Sequence, residues 1–185
     1  MKRRLHIGGR EVKDGWEILD ALPGDHVDHL LDARDLSAFS DNSFSEIYAS
    51  HVLEHMDYKD ELDATLREWW RVLAPGGTLS LSVPDLDVLC SAILARDKLA
   101  LGDRFYAMQM LFGGHVDEYD YHKVGLNQDI LAAFLTRAGF VGLGRVPAFN
   151  LFKDSSLIAV AGVPISLNMT AKKPNNGKRP AAAGK

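Results

Sequence analysis

Short apolar runs alternate with amphipathic helical patterns along almost the whole chain, and this alternation restricts the fold more than any other feature of the sequence. Apolar or β-branched runs mark strands at Arg4 to Ile7, Glu17 to Leu19, Val27 to Leu30, Glu46 to Ala49, Gly77 to Val83, Gly142 to Ala148 and Leu157 to Ala161. Helical spacing runs from Lys59 to Leu73, from Leu86 through Leu111 with a break near Leu101-Gly102, and from Asn127, an N-cap residue, to Ala138. The first helix stops at Ala74-Pro75-Gly76-Gly77 and feeds directly into a strand. There is no internal repeat. Strands alternating with helices predict an α/β fold with a mostly parallel sheet covered on both faces, whose ligands bind beyond the carboxyl ends of the strands. Residues with chemistry do follow the strands: Gly8-Gly9, Asp20, Asp32, Ser50-His51 and Pro84-Asp85.

Composition sets the scale. With 185 residues, 46% hydrophobic and 25% charged, the chain has the make-up of one globular domain, predicted over 1–167. No apolar run approaches the roughly 20 residues of a membrane span, and Met1-Lys2-Arg3-Arg4 leads into glycines and charges, so a cytoplasmic protein is expected. The one cysteine, Cys90, lies among Val88, Leu89, Ile93 and Leu94 and reads as a buried structural thiol. Residues 168–185 read as a disordered basic tail, carrying Lys172, Lys173, Lys178, Arg179 and Lys185 without an acid. Setting those five cations apart from the net charge of −4 leaves the body at about −9, which disfavours nucleic acid as a partner.

Seven ordered segments carry a resemblance to a known family: LHIGG at 5–9, GWEILD at 15–20, LLDARDL at 30–36, DNSFSEIYASHVLEH at 41–55, LREWWRVLAPGGTLSLSVPDL at 66–86, and the segments beginning at His122 and Leu131. In these the chain resembles the class I S-adenosylmethionine-dependent methyltransferases, in particular the small bacterial methyltransferase-11-like group with a shortened amino-terminal half. The resemblance implies a Rossmann-like, mostly parallel seven-stranded sheet flanked by helices, ordered 3-2-1-4-5-7-6 with the seventh strand antiparallel.

It also implies the cofactor S-adenosylmethionine and a set of residues to hold it. Gly8 and Gly9 let the backbone approach the methionine end, although a tight turn uses the same residues. Asp20, with Ala21 beside it, fits the acidic position that accepts from a ribose diol, and a turn aspartate before Pro23-Gly24 is the alternative. Asp32 and Ala33 match the adenine position, Asp35 lies beyond it as a cap residue, and Ser50 and His51 end the fourth strand at the crevice. Arg10 stands where many relatives have a third glycine, placed either to pair with the cofactor carboxylate, to crowd the pocket or to face solvent. Only eight positions, Gly9 to Trp16, then precede the second strand, too few for a crossover helix.

Methyl transfer asks the protein to align an acceptor with the methyl group and, where needed, to remove its proton. His51, Glu54 and His55 lie at the mouth of the crevice as candidate catalytic groups, or pack the turn after the fourth strand. His115, Tyr119 and His122, in a polar loop after Gly113-Gly114, are candidates for binding a small-molecule, saccharide or lipid-linked acceptor. Trp69 and Trp70 sit in a helix, where core packing outweighs sugar stacking. Two other readings compete. A non-catalytic binding domain of the same fold accommodates the truncated loop. His51-Val52-Leu53-Glu54-His55 is also the H-x-x-E-H spacing of inverted zinc hydrolases, but it directly follows a strand rather than lying on a helix, and no metal ligand is assigned from the sequence.

Overall fold

A computed structural model describes residues 3–180. Strands β1 (Arg3–Ile7), β2 (Glu17–Asp20), β3 (His29–Leu30), β4 (Phe44–Ser50), β5 (Leu73–Pro84) and β6 (Val141–Val146) are followed by a short hairpin, β7 (Ala159–Val160) and β8 (Val163–Pro164), and by β9 (Ser166–Lys172). The helices are α1 (Glu61–Val72), α2 (Leu86–Leu94), α3 (Leu101–Phe112) and α4 (Gln128–Ala138). Seven strands form one sheet in the order β3-β2-β1-β4-β5-β9-β6, with β9 antiparallel to both neighbours. Counted in chain order within this sheet, that is the 3-2-1-4-5-7-6 arrangement the resemblance implies.

The sequence dictates one face of this sheet by simple alternation. Leu5 and Ile7, Ile47 and Ala49, Leu79, Leu81 and Val83, and Leu167, Met169 and Ala171 all point into one core. Helix α1 meets them with Leu62, Leu66, Trp69 and Val72, and α4 with Leu131, Leu135 and Ala138, each helix presenting one apolar stripe. Helix α4 starts where expected, since the Asn127 side chain accepts from the Ile130 amide at 3.0 Å, and it ends on Gly139 in the left-handed conformation with φ 104°.

The opposite face is covered differently from the expectation of helices on both sides. The connection from β1 to β2 is too short for a helix, as its length predicts, and is braced instead by the Arg4 guanidinium donating to the carbonyls of Gly15 and Asp14 at 3.1 and 2.9 Å. Trp16, Tyr48 and Phe152 form a small aromatic core there, joined by Phe149 and Leu151 from the segment between β6 and β7. Helices α2 and α3 pack on each other and on the β7–β8 hairpin through Leu89, Ala107, Val160 and Ile165, making a satellite beyond the end of β5.

Three expectations are corrected. The seventh strand of the sheet is Ser166–Lys172; of the run Leu157 to Ala161, only Ala159–Val160 is strand, in the separate hairpin. The domain therefore extends past residue 167, because Leu167, Met169 and Ala171 fill the core between β5 and β6. Beyond it, buried Lys173 donates from Nζ to Asn42 Oδ1 at 2.8 Å and to the Trp70 carbonyl at 2.9 Å, and the Arg179 guanidinium lies 5.0 Å from the Trp70 ring centre. Residues 181–185 of the proposed tail lie outside the described residues. Cys90 is exposed on α2, not buried, because that helix packs only its Leu89 face.

Candidate active site

Strand β1 leads into Gly8, whose φ of +71° suits glycine and whose amide donates to the Leu19 carbonyl at 2.8 Å. A Cβ at Gly8 would lie 2.8 Å from Val52 Cγ2, so only a bare backbone fits between the β1 and β4 ends. Beside it opens a crevice of about 490 Å³ lined by Gly8, Arg10, Asp20, Ala21, Asp32 and Ala33 along the strand ends and by 116–121 on the far side. This is the place where the sheet order reverses direction, the usual ligand position in open α/β sheets. Asp20 accepts the Leu22 amide on one carboxyl oxygen at 2.8 Å, which leaves the other for a ligand. Gly9 does not line the crevice; a Cβ there would lie 2.5 Å from the His6 ring, so its smallness serves packing.

Asp32 is less free than its position suggests. Arg34 takes both its oxygens, with Nη2 to Oδ2 at 2.6 Å, and holds the carboxyl below its ordinary range. Arg34 also reaches Glu61 on α1 at 2.7 Å. Arg34 itself lines the crevice and is a functional candidate that sequence reasoning missed, although the Asp-Ala-Arg spacing that pairs it with Asp32 was visible.

A second pocket of about 420 Å³ adjoins the first and shares Gly8, Arg10, His51, His55 and Asp120 with it. Its own lining is mostly polar, with His6, Glu11, Ser50, His122, Lys153, Asp154 and Ser155 beside Met110, Phe152 and Ile158. The segment 152–158 supplies one wall, a contribution with no motif to reveal it. Asp154 is held by Tyr48 Oη at 2.8 Å and Ser50 Oγ at 3.2 Å, and it accepts the Ser156 amide at 2.9 Å. Ser50 thus belongs to this second pocket and not to the crevice assigned from the sequence, because its side chain turns to the face carrying Asp154. Of the three loop candidates, His122 lines this pocket, Tyr119 lines the first, and His115 lines neither; His115 stacks on Tyr121 at 4.1 Å and bonds to the Phe112 carbonyl at 3.0 Å.

His51, Glu54, His55 and His122 meet at the junction. His51 has φ +54°, an uncommon value for a non-glycine residue, and its amide donates to the Ser82 carbonyl at 2.8 Å. Its Nε2 lies 2.9 Å from Ser166 Oγ and its Nδ1 3.5 Å from Glu54 Oε1. Burial lowers the His51 and His122 pKa values to about 4, lowers that of His55, and raises that of Glu54 to about 8. At neutral pH the imidazoles and Glu54 are therefore all uncharged, and the His51–Glu54 contact is dipolar. Glu54 is 1% exposed and lines neither pocket. His55 is different: its Nδ1–H donates to the Tyr121 carbonyl at 3.3 Å, which fixes the tautomer and leaves Nε2 with its lone pair. The residues following β4 form one turn of 3-10 helix over Leu53–His55, so the H-x-x-E-H segment does not present both histidines on one α-helical face. Donor atoms of Glu54, His55 and His122 nevertheless fall within 4.8 Å of one another.

Residues 20–81 match the methyltransferase domain family. Comparison with functionally curated proteins returned no match. Solved structures do match: the CurJ carbon methyltransferase at 18% identity and TM-score 0.56, covering 94% of this chain and 48% of that one; a SAM-dependent methyltransferase from Archaeoglobus fulgidus at 17% and 0.57, covering 93% and 86%; and the Burkholderia thailandensis 1,6-didemethyltoxoflavin-N1-methyltransferase, with its substrate and S-adenosylhomocysteine bound, at 14% and 0.54, covering 94% and 72%. The chain spans about half the length of the CurJ domain. Strand order, the antiparallel strand between β5 and β6, and the matched segment identify the chain as a protein of the class I methyltransferase fold.

Proposed function

We propose that the chain transfers a methyl group from S-adenosylmethionine to a polar small molecule or saccharide. The observation that carries this reading is the pair of adjoining pockets that meet at His51 and His55. One has the features of a nucleoside-binding crevice, and the other offers a polar compartment where an acceptor would sit in line with the cofactor. The bare-backbone cradle at Gly8 fits the methionine end of the cofactor, the free oxygen of Asp20 fits a ribose hydroxyl, and the Asp32-Ala33-Arg34 segment borders the space for adenine. Arg10, exposed and lining both pockets, is placed to meet a carboxylate. When bound, S-adenosylmethionine supplies an electrophilic methyl carbon on a sulfonium centre.

The protein's own part is alignment and proton removal. His55 presents an unprotonated Nε2 at the junction and is the proton acceptor for a hydroxyl or amine. His51 shapes the turn, and buried Glu54 positions it rather than touching the acceptor. The second pocket, with Glu11, Lys153, Asp154 and Ser155, suits a polyhydroxyl ligand better than an apolar one. No helix among the described residues is long and apolar enough to cross a membrane.

Calorimetric titration with S-adenosylmethionine and S-adenosylhomocysteine tests the reading. Saturable binding is expected, weakened in Asp20→Ala by about 1–3 kcal/mol, the scale of an unsatisfied polar contact. If neither ligand binds up to millimolar concentration, the transferase reading fails and a non-catalytic binding domain of the same fold takes its place.

A further inference from the structure

We propose that Glu54, His55 and His122 form a divalent transition-metal site at the junction of the two pockets, with its open positions facing the acceptor compartment. Three observations converge on it. One ligand atom from each of the three residues lies within 4.8 Å of the other two. Both carboxyl oxygens of Glu54, 1% exposed, have no hydrogen-bond partner among the described residues, and neither does Nδ1 of His122. Buried polar atoms left unpaired cost about 1–3 kcal/mol each, and here they belong to neighbouring side chains: His122 Nε2 lies 4.0 Å from Glu54 Oε1, and the His55 and His122 rings meet edge to face at 4.8 Å. A single cation, displacing the Glu54 proton, would satisfy the carboxylate while taking an imidazole nitrogen from each histidine.

The scaffold suits ligation. The Glu54 carbonyl accepts the Lys123 amide at 2.7 Å and the Val124 amide at 3.3 Å, so the turn after β4 and the strand-like segment carrying His122 are clamped to each other. The Nδ1–H of His55 bonded to the Tyr121 carbonyl is the arrangement that orients a ligating histidine and leaves Nε2 for the ion. Two imidazoles and one carboxylate with open positions is a donor set that suits zinc and other first-row divalent ions. An ion held at about 2.0–2.1 Å from each donor needs them about 3.4 Å apart, a closure of the kind side-chain rotation provides. His55 and His122 both line the second pocket, so the open positions point toward the acceptor.

The role of the ion rests on the transferase reading and refines it. An acceptor hydroxyl bound to the ion loses its proton to solvent more readily, so the ion, held by His55, takes over the activation otherwise left to the bare imidazole. The oxygen lone pair then forms the bond to the methyl carbon while the carbon–sulfur pair returns to sulfur.

The site is tested on the tag-free full chain, as Cys90→Ser to remove the exposed thiol, by titrating apo protein with Co²⁺ and Zn²⁺. Expected are one ion per chain at micromolar concentration or tighter and a visible Co²⁺ absorption band without thiolate charge transfer. Glu54→Gln and, separately, His122→Asn should weaken binding more than roughly 100-fold, beyond the loss typical of an outer-shell partner, while circular dichroism shows both folded. Should Glu54→Gln unfold, His122→Asn carries the test. Absence of stoichiometric binding, or binding that neither variant disturbs, overturns the site. S-adenosylhomocysteine binding measured in excess chelator separates the two claims: if it persists while metal fails to bind, only the metal site falls, and if it is absent while the metal binds, only the transferase reading falls.

Discussion

Trp69→Ala is expected to destabilise the protein by about 3–5 kcal/mol, the range for deleting a buried tryptophan, and to lower the melting temperature by roughly 10–15 °C for a domain of this size. Trp69 is fully buried, sits on the inner face of α1 between Leu66 and Val72, and is the largest side chain in the core. Its removal leaves a cavity bounded by a helix and a sheet that cannot both move in. The indole also does something an aliphatic side chain could not, since Nε1 donates to the Ala33 carbonyl at 2.9 Å. Ala33 lines the crevice. Trp69→Phe keeps most of the volume and loses that bond, so it should cost only about 1 kcal/mol of stability yet weaken S-adenosylhomocysteine binding. Chemical denaturation and calorimetry on the two variants separate the effects. Equal ligand affinity in Trp69→Phe and the unsubstituted protein would show that the Ala33 loop holds its shape without the indole.

The elements that were legible in the sequence are those whose burial follows from local pattern. Strands β1, β2, β4 and β5 have apolar residues at alternate or successive positions, and α1 and α4 have one apolar stripe each with a cap or stop at the end. Strand β9 was not legible. Its sequence, Ser-Leu-Asn-Met-Thr-Ala-Lys, is polar at every second residue and runs into lysines, proline and asparagines, so it resembles the start of a tail. What makes it a central strand is pairing with β5, some 80–100 residues earlier, and no local pattern records such a contact. The same limit applies to the site. Gly8, Asp20, Ala21, Asp32, Ala33 and His51 line the crevice, and each lies at or just past a strand end, where open α/β sheets bind ligands. His122 was found as a polar loop residue, but its approach to Glu54 depends on the Lys123 amide bonding to the Glu54 carbonyl across 69 residues of chain. The aromatic cover from the segment after β6 is likewise set by distant contacts, and nothing in Phe149, Phe152 or Asp154 announces which face they cover.

That aromatic cover creates the second large expected effect. His6 lies on the sheet face covered by this segment, 1% exposed, with its ring 4.0 Å from that of Phe152 and edge-on to Tyr48 at 5.0 Å. Its Nδ1 has no hydrogen-bond partner among the described residues, and burial depresses its pKa from 6.5 to about 4. Above pH 6.5 the ring is neutral whether the chain is folded or not, and it contributes no pH dependence. Between about 6.5 and about 4 the unfolded chain binds a proton that the folded chain refuses, so stability falls as pH falls through this window. For a displacement of that size the loss reaches about 3 kcal/mol from this one side chain. His6→Phe preserves an aromatic ring between Phe152 and Tyr48, breaks no hydrogen bond of Nδ1, and cannot take up a proton. Its advantage over the unsubstituted protein should therefore grow by about 2–3 kcal/mol between pH 7 and pH 4.5, read by urea unfolding in chelator so that the histidines at the Glu54 junction are metal-free in both proteins. Those histidines add the same downward slope to both, because His51 and His122 are depressed in the same direction, and they cancel in the comparison. Parallel pH profiles for the two proteins would mean that His6 gains a proton in the folded state, and the second pocket that it lines would then supply the water that solvates the charge.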